Sequence, residues 1–310
     1  MIAVTGASGF IGRAVVSRLR SEGERARAVT RRDSDASMES IAVGDLDGTT
    51  DWAPALDGVD CVIHAAGRAH VLREEGDDPL AEFRRVNVEA TRALVEAAVR
   101  CGVRRIVFLS SIGVLGNATA PGCPFDERSP IAPVEPYAVS KAEAEEVLEG
   151  TAGGAGIETV IVRPPLVYGP GAPGNFARLV RLVRLGVPLP LARVENARSL
   201  VALDNLVDLL LRCIDHPAAV GRRLLVSDGE DLSTPELVRQ LASAMRRPAV
   251  LVPVPTPLLR AVGFLSGRSA EIGRLLGDLQ IDPRSTFEAL AWSPPWTVRA
   301  ALAQAVRDRV

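Results

Sequence analysis

The opening of the chain, "IAVTGASGFIG" (2–12), constrains its fold more than any other stretch. A short apolar run reads as a buried strand. It passes through glycines at 6, 9 and 12 straight into an amphipathic segment, "GRAVVSRLRSEG" (12–23). A glycine turn between strand and helix lets backbone N–H groups and the helix N-terminus approach an anion with no Cβ in the way. At the head of a βα unit this spacing predicts a dinucleotide pyrophosphate site built from Gly6, Ser8, Gly9, Phe10, Ile11 and Gly12.

Beyond residue 23 the chain extends the same pattern. Strand-like runs at 26–30, 40–44, 61–66, 105–110 and 159–164 alternate with helical stretches at 79–102 and 137–150. Strands alternating with helices predict parallel βαβ units, hence an α/β Rossmann-type doubly wound sheet. A chain of 310 residues with 47% hydrophobic content can support two lobes. After about residue 165 the pattern breaks at the Pro/Gly-rich "PPLVYGPGAPGN" (164–175). The expected division is a dinucleotide-binding domain over 1–165, joined by a returning segment at about 198–220. A smaller C-terminal α/β substrate lobe would then take 166–197 and 221–310. A second long Pro/Gly-rich segment, 116–136, reads as a wall or lid of a site.

Net charge −2, with no arm or face that reads as strongly basic, argues against nucleic acid or an anionic membrane as the main partner. The longest apolar stretches are cut by charges short of the roughly 20 residues a membrane span needs. The chain opens on a strand with no charged leader, which predicts a cytoplasmic location. Cys61, Cys101, Cys123 and Cys213 are scattered, as are His64, His70 and His216, so no metal-ligand spacing is expected.

The second strand ends "VTRRD". An acid at that strand end holds the ribose 2′-OH of NAD; here Thr30, Arg31 and Arg32 stand there instead. Guanidinium forks suit a 2′-phosphate, so NADP(H) is favoured, with NAD(H) the other choice.

"EPYAVSKAEAEEV" (135–147) holds the one lysine among 36 Lys and Arg, and one of two tyrosines. Tyr137 and Lys141 are four apart on a predicted helix and share a face. A phenol is a poor base at neutral pH, and a nearby cation is expected to lower its pKa. A compact ammonium can do this while reaching a cofactor ribose; a guanidinium is too bulky. Ser111, after the fifth strand, is placed to hydrogen-bond a substrate oxygen, with Ser110 the competing choice. His64 reads as structural.

Taken together, GxxGxxG, "GDL" (44–46), "HAAG" (64–67), Asn87, the serine pair and Tyr-x-x-x-Lys resemble the extended short-chain dehydrogenase/reductases. More narrowly, the chain is similar to the NAD-dependent epimerase/dehydratase group acting on nucleotide sugars. That resemblance implies a catalytic Ser111, Tyr137 and Lys141. It implies an adenine site at Asp45 and Leu46, and a cofactor wall at Ala65, Ala66, Gly67 and Pro164. Asn87 would steady the catalytic helix region. Asn175 and Arg198 would contact the nucleotide diphosphate, and Arg68, with His70, would face the sugar. Pairing of two copies through a four-helix contact is also implied. The Asp-Glu pair that dehydratases carry after the catalytic serine is replaced by Ile112 and Gly113, so elimination of water is not expected.

The arginines after the second strand rank a C4 reductase of a UDP-4-keto-6-deoxy-(N-acetyl)hexosamine, serving surface polysaccharide, above a UDP-hexose 4-epimerase with tightly held NAD. A non-sugar ketone or aldehyde reductase shares the same residues, and a non-enzymatic dinucleotide sensor shares the fold.

Overall fold

Residues 1–32, 40–69 and 78–307 are described in the computed structural model. Strand β1 (Ile2–Thr5) leads through the glycine turn to α1 (Phe10–Ser21), then β2 (Ala26–Thr30) and β3 (Ser40–Ala42). After α2 (Ala53–Leu56) come β4 (Cys61–His64), α3 (Pro79–Arg84) and α4 (Ala90–Cys101). Next come β5 (Arg105–Leu109), α5 (Pro136–Gly153), β6 (Glu158–Arg163) and β7 (Leu166–Tyr168). The remainder runs α6 (Gly174–Arg184), β8 (Leu200–Ala202), α7 (Leu203–Asp215), β9 (Arg223–Leu225), α8 (Thr234–Ala244), α9 (Thr256–Leu265), α10 (Ser269–Leu276), α11 (Arg284–Leu290) and α12 (Val298–Arg307).

Among the described residues seven strands form one sheet in the order β3-β2-β1-β4-β5-β6-β9, every pair parallel. The chain goes outward from β1 in one direction, then returns and goes outward from β4 in the other. The crevice between their C-terminal ends is where a doubly wound sheet binds ligands. β1, β4 and β5 are buried along their whole length, as strands covered on both faces must be. One face packs on α1 and α7, the other on α2, α4 and α5. Since β9 joins the large sheet, that sheet draws on the chain past the expected boundary at residue 220.

A separate core over 168–202 and 232–306 forms the second lobe. β7 and β8 pair parallel there. The segment "VLVPVPTPL" (250–258) gives one isolated bridge, Leu189 with Leu251, and then turns into α9 at Thr256. A small cluster of Ile112, Val114, Leu115, Ala142, Leu225, Leu279 and Ile281 seams the two lobes behind the β5 loop. The 116–136 segment crosses that seam: the Phe125 N–H donates to the Gln280 carbonyl (2.8 Å), and the Asp282 N–H to the Phe125 carbonyl (2.8 Å).

Sequence periodicity predicts one continuous helix over 79–102. The structure instead inserts a π-helical turn, Arg85–Glu89, between α3 and α4. Such a turn re-aims side chains by about a residue, and here it carries Asn87 inward, 2% exposed.

Candidate active site

The glycine turn is built as its composition demands. Gly6 has φ +67°, and a Cβ there would meet the Ala66 backbone at 2.8 Å and the Ala65 carbonyl at 2.9 Å. A Cβ on Gly12 would fall 2.2 Å from the Gly6 carbonyl oxygen. The loops after β1 and β4 can therefore abut only as glycine against backbone. Gly9 caps α1 with no side-chain hydrogen bond, and no acid stands in the first turn. The first N–H groups of α1 are thus free of a competing carboxylate, beside exposed Ser8 and half-buried Phe10 and Ile11. This cradle fits a dinucleotide pyrophosphate.

Behind it a chain of hydrogen bonds runs to helix α5. Thr5 Oγ1 accepts from the Ala66 N–H (3.2 Å) and donates to His64 Nδ1 (2.6 Å). Thr91 Oγ1 donates to the Asn87 carbonyl (2.6 Å), so it must accept from His64 Nε2–H (3.1 Å). Both ring nitrogens are occupied, and burial followed by the Lys141 charge lowers the His64 pKa to about 3. His64 is a neutral linker. Asn87 Oδ1 accepts from the Arg68 N–H (2.7 Å), while Nδ2 donates to the Arg68 carbonyl (3.2 Å) and to Ser140 Oγ (2.9 Å). Ser140 donates in turn to the Tyr137 carbonyl (2.8 Å). The wall after β4 and the start of α5 are thereby held in one register.

Helix α5 opens with Glu135 as N-cap and Pro136 at its first position. Tyr137, Lys141 and Glu145 then stand at successive turns. Tyr137 is hydrogen-bonded to Ser111. Ser111 Oγ also accepts from the Gly113 N–H (3.1 Å), which fixes its rotamer. Ser110 faces the other way, buried, donating to Glu145. Lys141 Nζ sits 4.0 Å from the Phe108 ring centroid, and a Cβ on Gly67 would lie 3.9 Å from it. Lys141 and Asn87 therefore both approach Gly67, the residue after the Ala66 that abuts the glycine cradle. Arg68 stacks over Phe83 (5.7 Å), whose ring meets Tyr137 edge-on at 6.0 Å; its Nε is buried with no hydrogen-bond partner. Arg68 is thus one ring away from Tyr137.

The electrostatics differ from the expectation that Lys141 depresses the Tyr137 pKa. Burial dominates and pushes the phenol up to about 12, with the Ser111 hydrogen bond opposing it. Burial also pulls Lys141 down to about 7, with Glu145 opposing. The protein alone therefore disfavours charge at both groups.

Other expected residues lie further out. Thr30 is buried and spends its hydroxyl on the Arg32 carbonyl (2.8 Å), so it closes a turn; Arg31 and Arg32 are exposed at the end of β2. Leu46 is buried against the sheet, and exposed Asp45 gives its carbonyl to Thr50 (3.1 Å). Pro164 is buried and accepts from the Ile112 N–H (3.0 Å). Arg198 Nη1 donates to the Arg274 and Gly277 carbonyls at the end of α10 (2.7 and 3.0 Å). Asn175 is exposed in the first turn of α6, outside the Tyr137 cluster. His70 and Asp33 lie outside the described residues.

Sequence reasoning missed the charged pair that supports helix α5 from below. Beneath it, Arg163 and Glu145 form a buried pair (Nη2 to Oε2 2.5 Å, Nε to Oε1 3.0 Å) shared with Ser110. The only local signal for Glu145 is its place four residues after Lys141.

A glycine-walled turn at the switch point of a parallel sheet, with Ser111, Tyr137 and Lys141 at the C-terminal ends of its strands, is the arrangement of a Rossmann-like dinucleotide-binding fold. Residues 2–226 match the NAD dependent epimerase/dehydratase family, and the chain belongs to it. A UDP-glucose 4-epimerase of Vibrio cholerae is 42% identical over 309 residues, covering 98% of this chain and 93% of that protein. A sterol demethylase protein B of Methylococcus capsulatus is 30% identical, covering 94% and 97%. The structure of MoeE5 in complex with UDP-glucose and NAD superimposes with a TM-score of 0.77 at 25% identity, covering 98% of this chain and 97% of that one.

Proposed function

We propose that this protein is an NAD-dependent oxidoreductase acting at C4 of a nucleotide-linked hexose, and that it epimerises that carbon. The Ser111–Tyr137 hydrogen bond beside Lys141, facing the glycine cradle, is the observation that carries the chemistry. Similarity across 98% of the chain to a UDP-glucose 4-epimerase favours epimerisation and a UDP-hexose. It reverses the ranking drawn from Arg31 and Arg32.

The bound nicotinamide supplies hydride exchange at C4. Tyr137 takes the C4 hydroxyl proton as the carbonyl forms and returns it when the alcohol is restored. Ser111 donates to the same oxygen, and its rotamer is already set by Gly113. Lys141 donates to the ribose and offsets negative charge on Tyr137, whose phenol burial otherwise holds near 12. Arg68, with a free buried Nε, and Arg198 are the cationic groups for the sugar and the diphosphate. Ile112 and Gly113 provide no acid or base for elimination, so the C5 proton is left untouched. Two copies are proposed to pair through a four-helix contact, as the resemblance implies.

A second reading, one-way reduction of a UDP-4-keto-6-deoxy-(N-acetyl)hexosamine with NADPH, is favoured by one observation. The residues at the end of β2 are two exposed arginines, suited to a 2′-phosphate. Denaturing the purified protein and identifying the released cofactor separates the two. Stoichiometric NAD, with interconversion of UDP-glucose and UDP-galactose, supports epimerisation. An empty protein that consumes NADPH only with a 4-keto nucleotide sugar overturns it in favour of the reductase.

A further inference from the structure

Helix α9, "TPLLRAVGFL", rests on the protein along a single line. Only Leu259 and Gly263 are buried, and a Cβ on Gly263 would fall 2.8 Å from the Ile272 side chain of α10. The opposite face is apolar and open. Leu258 and Val262 are each 55% exposed, Phe264 78% and Leu265 84%. Spacings of four and three put Leu258, Val262 and Leu265 on one stripe, with Phe264 beside it. Phe264 and Leu265 are the most exposed large hydrophobic residues among those described.

The sequence leading into and through this helix is rich in arginine. From 237 to 270 the sequence holds Arg239, Arg246, Arg247, Arg260 and Arg268, and no acidic residue, although the chain as a whole is at −2. All five are exposed. The overall balance hides this acid-free run, so a reading from net charge alone passes over it.

An apolar stripe flanked by exposed Arg260 and Arg268, with Glu271 at the start of α10 the nearest acid in sequence, restricts what can cover it. A second copy in a two-fold contact would bring two arginine-rich faces together, Arg260 and Arg268 of each copy with one acid near them in sequence, Glu271. A ten-residue helix also offers far less than the roughly 800 Å² per partner that a stable dimer buries. A bilayer containing anionic lipid satisfies both features: the apolar side chains enter the acyl boundary, and the guanidinium groups reach the phosphates. We propose that α9 docks this protein peripherally on an anionic membrane surface. Among the described residues no helix is long and apolar enough to cross a membrane, so the contact is interfacial. The docked helix lies one helix from the candidate site, because Arg274 of α10 pairs with Glu135, two residues before Tyr137.

The test is co-sedimentation of the intact protein with phosphatidylcholine vesicles, with and without roughly one-third phosphatidylglycerol. Binding to the anionic vesicles should exceed binding to the neutral ones at least roughly tenfold and weaken with salt. Phe264→Glu with Leu265→Glu should abolish it, as should Arg260→Ser with Arg268→Ser. Both pairs are exposed, so melting temperature and turnover of a soluble nucleotide sugar should stay unchanged. Equal binding to both vesicle types, or none, overturns the proposal. So does a dimer in solution that the Phe264 and Leu265 changes dissociate, since a second copy then covers the face.

Discussion

Lys141 should be a measurable liability to the ligand-free fold. Its ammonium is 4% exposed, lies over Phe108, and has its pKa drawn by burial from 10.5 to about 7. The folded-state value lies below the unfolded one, so between about pH 7 and 10.5 the folded protein binds fewer protons than the unfolded chain. The penalty for burying this group is therefore greatest at and below pH 7 and fades as pH rises. At about 1.4 kcal/mol per pKa unit, it amounts to about 4 kcal/mol at pH 7 and about 2 kcal/mol at pH 9. Lys141→Met removes the charge and retains most of the volume. It leaves Glu145 satisfied by Arg163 and Ser110. The cation–π contact with Phe108 exists only while the amine is protonated, so it is part of what sets the folded-state pKa and adds no offset independent of pH. Urea unfolding of ligand-free wild type and variant at pH 7, 8 and 9 should show the variant more stable, with its advantage shrinking by about 2 kcal/mol from pH 7 to 9. The same variant should lose turnover. An advantage that is constant across this range, or grows with pH, would refute the reasoning.

Tyr137→Phe should lower turnover at least roughly 10²-fold in steady-state assays with UDP-glucose while leaving unfolding nearly unchanged; near-normal turnover removes Tyr137 as the acid–base group. Asn87→Ala deletes the bonds to Arg68 and Ser140, orphaning buried groups at about 1–3 kcal/mol, and turnover should fall with stability. Glu145→Gln breaks the buried pair with Arg163 and should cost about 3–5 kcal/mol in denaturant unfolding, whereas an effect under about 1 kcal/mol would show that the pair is not isolated from water. In Gly12→Ala the new Cβ would sit 2.2 Å from the Gly6 oxygen, so cofactor should be missing from the purified protein even where far-ultraviolet circular dichroism is unchanged.

The parts of this site legible in the sequence are those whose chemistry and geometry are local. The glycine turn is dictated by one strand, one helix start and the need for backbone approach. Tyr137 and Lys141 share a face because they lie on the same helix. The groups that hold them were not legible, because each depends on a partner far along the chain. Glu145 reads as one more acid on a polar helix until β6 brings Arg163 beneath it, 18 residues on, and β5 brings Ser110. Asn87 is the exception: the resemblance names it for steadying this helix region, although periodicity alone makes it one residue of a long helix, because a π turn leaves no mark there. The failed expectation about Tyr137 has the same origin. Spacing put Tyr137 and Lys141 on one helix face, but it could not weigh a cation against burial, which raises the pKa of one group and lowers that of the other. A lone lysine among arginines therefore marks where a cation is needed. Its charge state is set by the surrounding packing: Phe108, Gly67 and the carboxylate one turn below.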